Sequence, residues 1–214
     1  MKFKVIVIVI IVSFIASCNV RTDDFWFLER DQDFLRIKSA FQNYIGFFPK
    51  PGDAKTINRT WSLNPDKEFN IKIVFKFKPE LFRQSLDTIR KNSIAKYASD
   101  MDGLLVLNRF STHSNYGYPN GNEIDPKIID LDCYKDLYPI PNFSNFSAYQ
   151  TDKTECRLQE GFSIYVLESE VGRFLSEEKL TNGKYMPEYW KHGYSKGVAV
   201  NESEKIMIYW VIIW

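Results

Sequence analysis

Residues 197–214, GVAVNESEKIMIYWVIIW, end the chain on its most strongly patterned stretch. Gly197 to Val200 and Ile206 to Trp214 are apolar and rich in β-branched and aromatic residues, while Asn201-Glu202-Ser203-Glu204 between them has turn composition. This spacing predicts a terminal hairpin. Its last strand is apolar on both faces, so it belongs inside a sheet, with helices or another layer over it. A barrel strand of an outer membrane would need many alternating segments elsewhere, and the chain does not offer them.

Outward from the hairpin, Phe69-Asn70-Ile71-Lys72-Ile73 alternates apolar with polar. Phe75-Lys76-Phe77-Lys78 resumes the alternation after Val74, so residues 69–78 read as a strand with one wet face. Val74 marks either a bulge or a second buried face. Phe34, Ile37, Phe41, Tyr44 and Phe48 recur at three- and four-residue steps and predict an amphipathic helix from Asp31 that ends near Gly46 and Pro49. Pro79 suits a first helical turn. Phe82, Leu86, Ile89, Ser93 and Tyr97 then follow at helical spacing, predicting a helix over about 80–98. Leu104 to Leu107 suit a central strand covered on both faces. Residues 111–126 and 138–148 are dense in turn formers. Phe162 to Leu167 return to strand composition, followed by an expected helix over about 169–179. The fold class expected is α+β: a single domain with a mainly antiparallel sheet, the C-terminal hairpin, and two or three packed helices.

The other end of the chain speaks to location. Met1-Lys2-Phe3-Lys4 is a short basic head, and Val5 to Ala16 carry no charge, with Ser13 the lone polar residue. This is the grammar of an export signal. Twelve apolar residues fall short of the roughly 20 needed to span a bilayer. Ile15-Ala16-Ser17-Cys18 resembles the lipobox of bacterial lipoproteins, and the resemblance covers the first eighteen residues. It implies that the Cys18 thiol receives a diacylglycerol, that the preceding peptide is removed, and that the new amino group is acylated. Small side chains at 16 and 17 let a peptidase reach the backbone, and the thiol is the nucleophile that accepts the lipid. Two acyl chains already anchor stably. The expected division is a signal peptide at 1–17, a lipidated tether at 18–28 and one globular domain at 29–214. By the same resemblance, no aspartate directly follows Cys18, which argues for the outer membrane of the cell envelope; periplasmic and surface-facing orientations both stay open.

The chain has 28 basic and 27 acidic side chains. Loss of residues 1–17 removes Lys2 and Lys4 and leaves a mature domain of 197 residues near neutrality, long enough to bury a substantial core. It carries no basic footprint for nucleic acid. Cys133 and Cys156 belong to an exported domain in which disulfides persist, so they are expected to pair. Such a bridge would contribute about 3 to 4 kcal/mol on the chain-entropy account.

Chemical motifs are sparse. His113 and His192 lack metal-ligand spacing, and Asp100, Asp102 and Gly103 form only a fragment of a calcium loop, read as a turn. No phosphate-binding loop or dinucleotide fingerprint occurs, so neither metal nor cofactor is expected. Asp125, Asp130, Asp132 and Asp136 read as a solvated acidic face, with paired carboxylates as the functional alternative. Residues 186–197, MPEYWKHGYSKG, offer a binding rim with Glu188, Trp190 and His192, or else a loop whose aromatics cap the sheet. The expected role is a membrane-anchored, non-enzymatic module that binds a protein, of accessory or immunity type. A glycan-binding lipoprotein using exposed tryptophans and an envelope hydrolase with an acidic site are the alternatives.

Overall fold

The computed structural model describes residues 41–50, 52–64, 68–107, 132–143, 156–177 and 186–214. Strands β1 (Ala54–Asn64), β2 (Glu68–Phe77), β3 (Ala95–Ala98), β4 (Phe162–Val171), β5 (Gly193–Asn201) and β6 (Ile206–Ile213) form one antiparallel sheet. Their order across it is β1-β2-β6-β5-β4-β3. The architecture is mainly β, with helix α1 (Pro79–Asn92) and a helical stretch over 41–45 among the described residues.

The expected hairpin is β5–β6. The Asn201 side-chain oxygen accepts from the Ser203 hydroxyl at 2.7 Å and from the Glu204 N–H at 3.0 Å, replacing backbone partners in the turn. β6 lies between β2 and β5, and every residue from Met207 to Trp214 is buried.

Each sheet face has its own cover. Phe69, Ile71, Ile73, Phe75 and Phe77 of β2 share one face with Met207, Tyr209, Val211 and Ile213 of β6. Phe82, Leu86 and Ile89 of α1 close over it, together with Ile45 and the partly buried Phe41, Tyr44, Phe47 and Phe48. Val74 resolves as a member of the opposite face: it pairs in register with Asn58 and Ile208, and the bulge of that hairpin is on β1 at Ile57. The opposite face presents Ile164, Val166, Ala199, Ile208, Trp210 and Ile212. Its cover is irregular, built from residues 104–107, 132–143 and 156–158.

Four expectations are corrected. α1 stops at Asn92, with Ser93 extended (φ −74°, ψ 136°), because the chain turns there to lay β3 beside β4. Tyr97 therefore belongs to β3 and is buried on the irregular side, where its hydroxyl accepts the Tyr138 N–H at 2.9 Å. Leu104 to Leu107 are all buried as expected, yet they join the sheet nowhere and make only an isolated parallel bridge, Val106 to Ile140. Residues 169–171, expected to open a helix, extend β4, and 172–177 form bends with a last 3-10 residue. Cys133 is exposed and Cys156 fully buried, and neither thiol is in a disulfide. The Cys156 thiol instead donates to the Ser99 carbonyl at 3.3 Å, a contact for a buried sulfur that needs no bridge.

Candidate functional site

The site grows from a defect in the β4–β5 ladder. Val166 pairs with Gly197, but Glu168 pairs with Lys196, so Leu167 is an extra residue on β4. Such a bulge reverses the facing of every side chain after it. Before it, Ile164 and Val166 point into the irregular layer and Tyr165 into the helix side. Continued alternation would have driven Glu168 into the irregular layer. The bulge turns Glu168 and Glu170 onto the helix-side face, beside their cross-strand partners Lys196 and Tyr194.

Gly197 makes the bulge possible. A Cβ there would lie 2.2 Å from the Tyr165 carbonyl oxygen and 2.6 Å from the Trp210 ring. Its bareness lets Trp210 of β6 lie across β5, so the cover of one face and the polar site on the other depend on one glycine.

At the site, the Tyr194 hydroxyl donates to Glu168, and Glu170 lies 3.4 Å from the same hydroxyl. Lys196 Nζ is 2.7 Å from the second Glu168 oxygen and 5.8 Å from the Phe47 ring centre. Tyr44 and Phe174 meet the Tyr194 ring edge-on at 5.1 and 4.6 Å, forming an aromatic frame. The Lys196 side chain is 14% exposed and that of Glu168 50%, so the cation is sunk beneath an open carboxylate.

The titration shifts show what this chemistry favours. Burial and then the hydrogen bond to Glu168 push the Tyr194 phenol well above its ordinary range, reinforced by the charges of Glu168 and Glu170. Burial, Glu170 and Glu168 push Tyr44 the same way. Burial works to raise the Glu168 carboxyl, but the hydrogen bonds from Lys196 and Tyr194 and the Lys196 charge outweigh it and bring it down. A general acid–base pair needs groups moved toward neutrality. Here the carboxyl is moved down and the phenol up, so at neutral pH Glu168 is ionised and Tyr194 keeps its proton.

The rim expected at 186–197 is drawn differently. Glu188 is exposed and ion-pairs with Lys191. Trp190 is buried against Trp214, with ring centres 5.9 Å apart, and its carbonyl accepts the Trp214 indole N–H at 2.8 Å. His192 is half-buried, and its Nδ1 has no partner among the described residues. Trp190 serves as an aromatic cap against Trp214 and is not open to solvent. Trp210 and Trp214 are buried as well, so the tryptophans Trp190, Trp210 and Trp214 present no open ring to a glycan. Asp132 is exposed and lies 2.5 Å from Lys135, whose hydrogen bond and charge hold its carboxyl below the usual range. Asp136 is also exposed. Cys18, Asp125 and Asp130 lie outside the described residues. Among the described residues no group of three His, Cys, Asp or Glu side chains could hold a metal ion.

Sequence reading passed over Glu168, Glu170, Tyr194 and Lys196. The available signal was Leu167-Glu168-Ser169-Glu170-Val171, which alternates at period two and is therefore strand-like, although residues from 169 were expected to form a helix. The class this fold and site define is a six-stranded antiparallel sheet with a bulge-centred carboxylate–phenol–ammonium cluster at its open end. Comparison with protein-family models, with curated proteins and with solved structures gives no match.

Proposed function

We propose that the chain is a lipid-anchored protein of the bacterial cell envelope whose globular domain binds a protein partner without catalysing a reaction. The anchor reading rests on the lipobox-like Ile15-Ala16-Ser17-Cys18, which would tether the domain by acyl chains on Cys18, with the outer membrane as its site. The domain is read as α+β, with α1 and the helical stretch over 41–45 packed on the same sheet face. Among the described residues no helix is long and apolar enough to cross a membrane.

The observation that carries the binding role is the state of the Glu168, Tyr194 and Lys196 cluster. Tyr194 and Lys196 hold the Glu168 carboxylate from two sides, and half of its side chain still faces solvent. A fixed charge on a rigid strand suits recognition, since its orientation costs little entropy on binding. The test has two arms. Cys18→Ser should move the protein from the membrane to the soluble fraction and abolish incorporation of labelled fatty acid; unchanged fractionation would refute the anchor. Cross-linking in intact native cells, with an affinity tag joined through a flexible linker after Trp214, should capture one protein in constant ratio. Recovery of bulk envelope alone would refute the binding role.

A further inference from the structure

We propose that the outer edge of β4 beyond Val166 is a docking edge for an extended, basic segment of a partner protein. The proposal rests on the binding role above and says where and how the partner is held.

β3 is too short for β4. Its register ends with Ala95 opposite Val166, and the Ile94 N–H closes that ladder on the Val166 carbonyl at 2.8 Å. β4 continues to Val171, and among the described residues no strand pairs with 167–171 on that side.

The hydrogen-bond phase shows which backbone groups are offered. Gly193 exchanges both of its backbone bonds with Trp214, at 3.1 and 3.0 Å, so it has none left for Val171, its partner on β4. Val171 must turn its N–H and C=O away from β5, toward the open edge. Gly172, one residue on, donates to the His192 carbonyl across the ladder at 3.1 Å, as the alternation requires. Two residues back, Ser169 has the same outward phase as Val171. Two donor–acceptor pairs therefore stand on a rigid edge, the template that strand addition uses.

Charge selects the occupant. Glu168 and Glu170 alternate with Ser169 and Val171 and share one face, and Glu168, Glu170 and Val171 are all exposed. The cation Lys196 lies on the β5 side of Glu168, leaving the outer side open. A strand added at the edge puts its own alternate residues within about 5 Å of these two carboxylates, measured between Cβ atoms. Lysine or arginine at two positions separated by one apolar residue is the complementary pattern, with the apolar residue on the face of Val171.

The probe is a heptapeptide, Thr-Lys-Val-Lys-Val-Lys-Thr, added to the full lipidated chain in detergent micelles, with amide hydrogen exchange as the readout. Binding should slow exchange at Ser169 and Val171 at least tenfold and leave Glu168 and Glu170 little changed. The Glu-for-Lys peptide and a peptide N-methylated on alternate amides should give no protection. Glu170→Lys should weaken binding at least tenfold. Val171→Pro, which removes one outward N–H without touching the ladder to β5, should abolish it, with β5 and β6 amides reporting that the fold is intact. Absence of protection at Ser169 and Val171, or equal protection by the acidic peptide, would overturn the proposal. The in-cell cross-linking, repeated with Glu170→Lys, separates the two claims. Equal capture of the same partner by the variant overturns the docking edge and spares the binding role, whereas no partner for either chain removes the role itself.

Discussion

The two faces of the central sheet are covered in different ways. On the helix side, α1 and residues 41–48 lay regular apolar stripes over Ile71, Ile73, Phe75 and Tyr209. On the other side, residues 104–107 and 132–143 wrap Trp210, Ile164 and Ala199 with no α-helix or paired strand, one 3-10 turn at Asp132–Tyr134 aside. The irregular side also buries polar groups: Lys72 donates to the Asn142 carbonyl at 2.7 Å, and the Ser195 hydroxyl and Trp210 indole N–H are buried without partners among the described residues. Regular cover satisfies its own backbone and takes mainly apolar side chains from the sheet, although Thr56 Oγ1 and the Tyr165 hydroxyl are also buried on that face without partners among the described residues. Irregular cover leaves carbonyls to be met from the sheet, and a residue such as Lys72 meets them.

The largest effect is expected where both faces depend on one residue. Gly197→Val drives a side chain into the Tyr165 carbonyl and the Trp210 ring. It should cost more than about 4 kcal/mol and leave little folded protein, read by near-ultraviolet circular dichroism. A folded variant of near-native stability would show that the bulge and the Trp210 cover are separable.

Cavities should then distinguish the covers. Ile73 is fully buried on the helix side and Leu105 nearly so on the irregular side. Ile73→Ala should lose about 4 kcal/mol and Leu105→Ala about 2 kcal/mol in urea unfolding, because a loop layer collapses into a void more readily than a helix against a sheet. Equal losses would mean that the irregular cover is as rigid as the regular one.

A smaller effect, of opposite sign, is expected from Ser195→Ala. Removing a buried hydroxyl without a partner should raise stability by about 1 kcal/mol. A loss would reveal that the hydroxyl is bonded through internal water.

The smallest concerns acid. The Glu168 carboxyl is held below its ordinary value by Lys196 and Tyr194 against the opposing effect of burial. Its contribution is therefore present above the unfolded value of about 4.3 and is lost as pH falls through the lower folded value. Half exposed and screened, the pair contributes less than about 1 kcal/mol. Glu168→Gln should flatten the acid limb of the stability profile between pH 5 and pH 2, and an unchanged limb would refute the assignment.

Much of the regular half was legible. Alternation at 69–78 located β2, and the 82-86-89 spacing located α1, because periodic burial leaves a periodic trace. The all-apolar run at 206–214 predicted an interior strand, and β6 is one. The irregular half was not legible: Leu104 to Leu107 have strand composition and full burial but no strand to pair with, and Tyr97 continues the helical spacing of α1 while residing in β3. The candidate site was missed for the same reason. The helix expected over about 169–179 took in Glu170, and local pattern has no knowledge of a partner strand.

By itself, then, the sequence determined an antiparallel sheet closed by a C-terminal hairpin, one well-placed helix and the identity of most buried residues, since burial is written in side-chain polarity and its period. Tertiary structure alone decided that Cys133 and Cys156 do not form a bridge, that residues 169–171 extend a strand, and that a one-residue bulge turns Glu168 and Glu170 toward Lys196 and Tyr194. Register and bulges are set by contacts between strands far apart in the chain, and such contacts have no local signature.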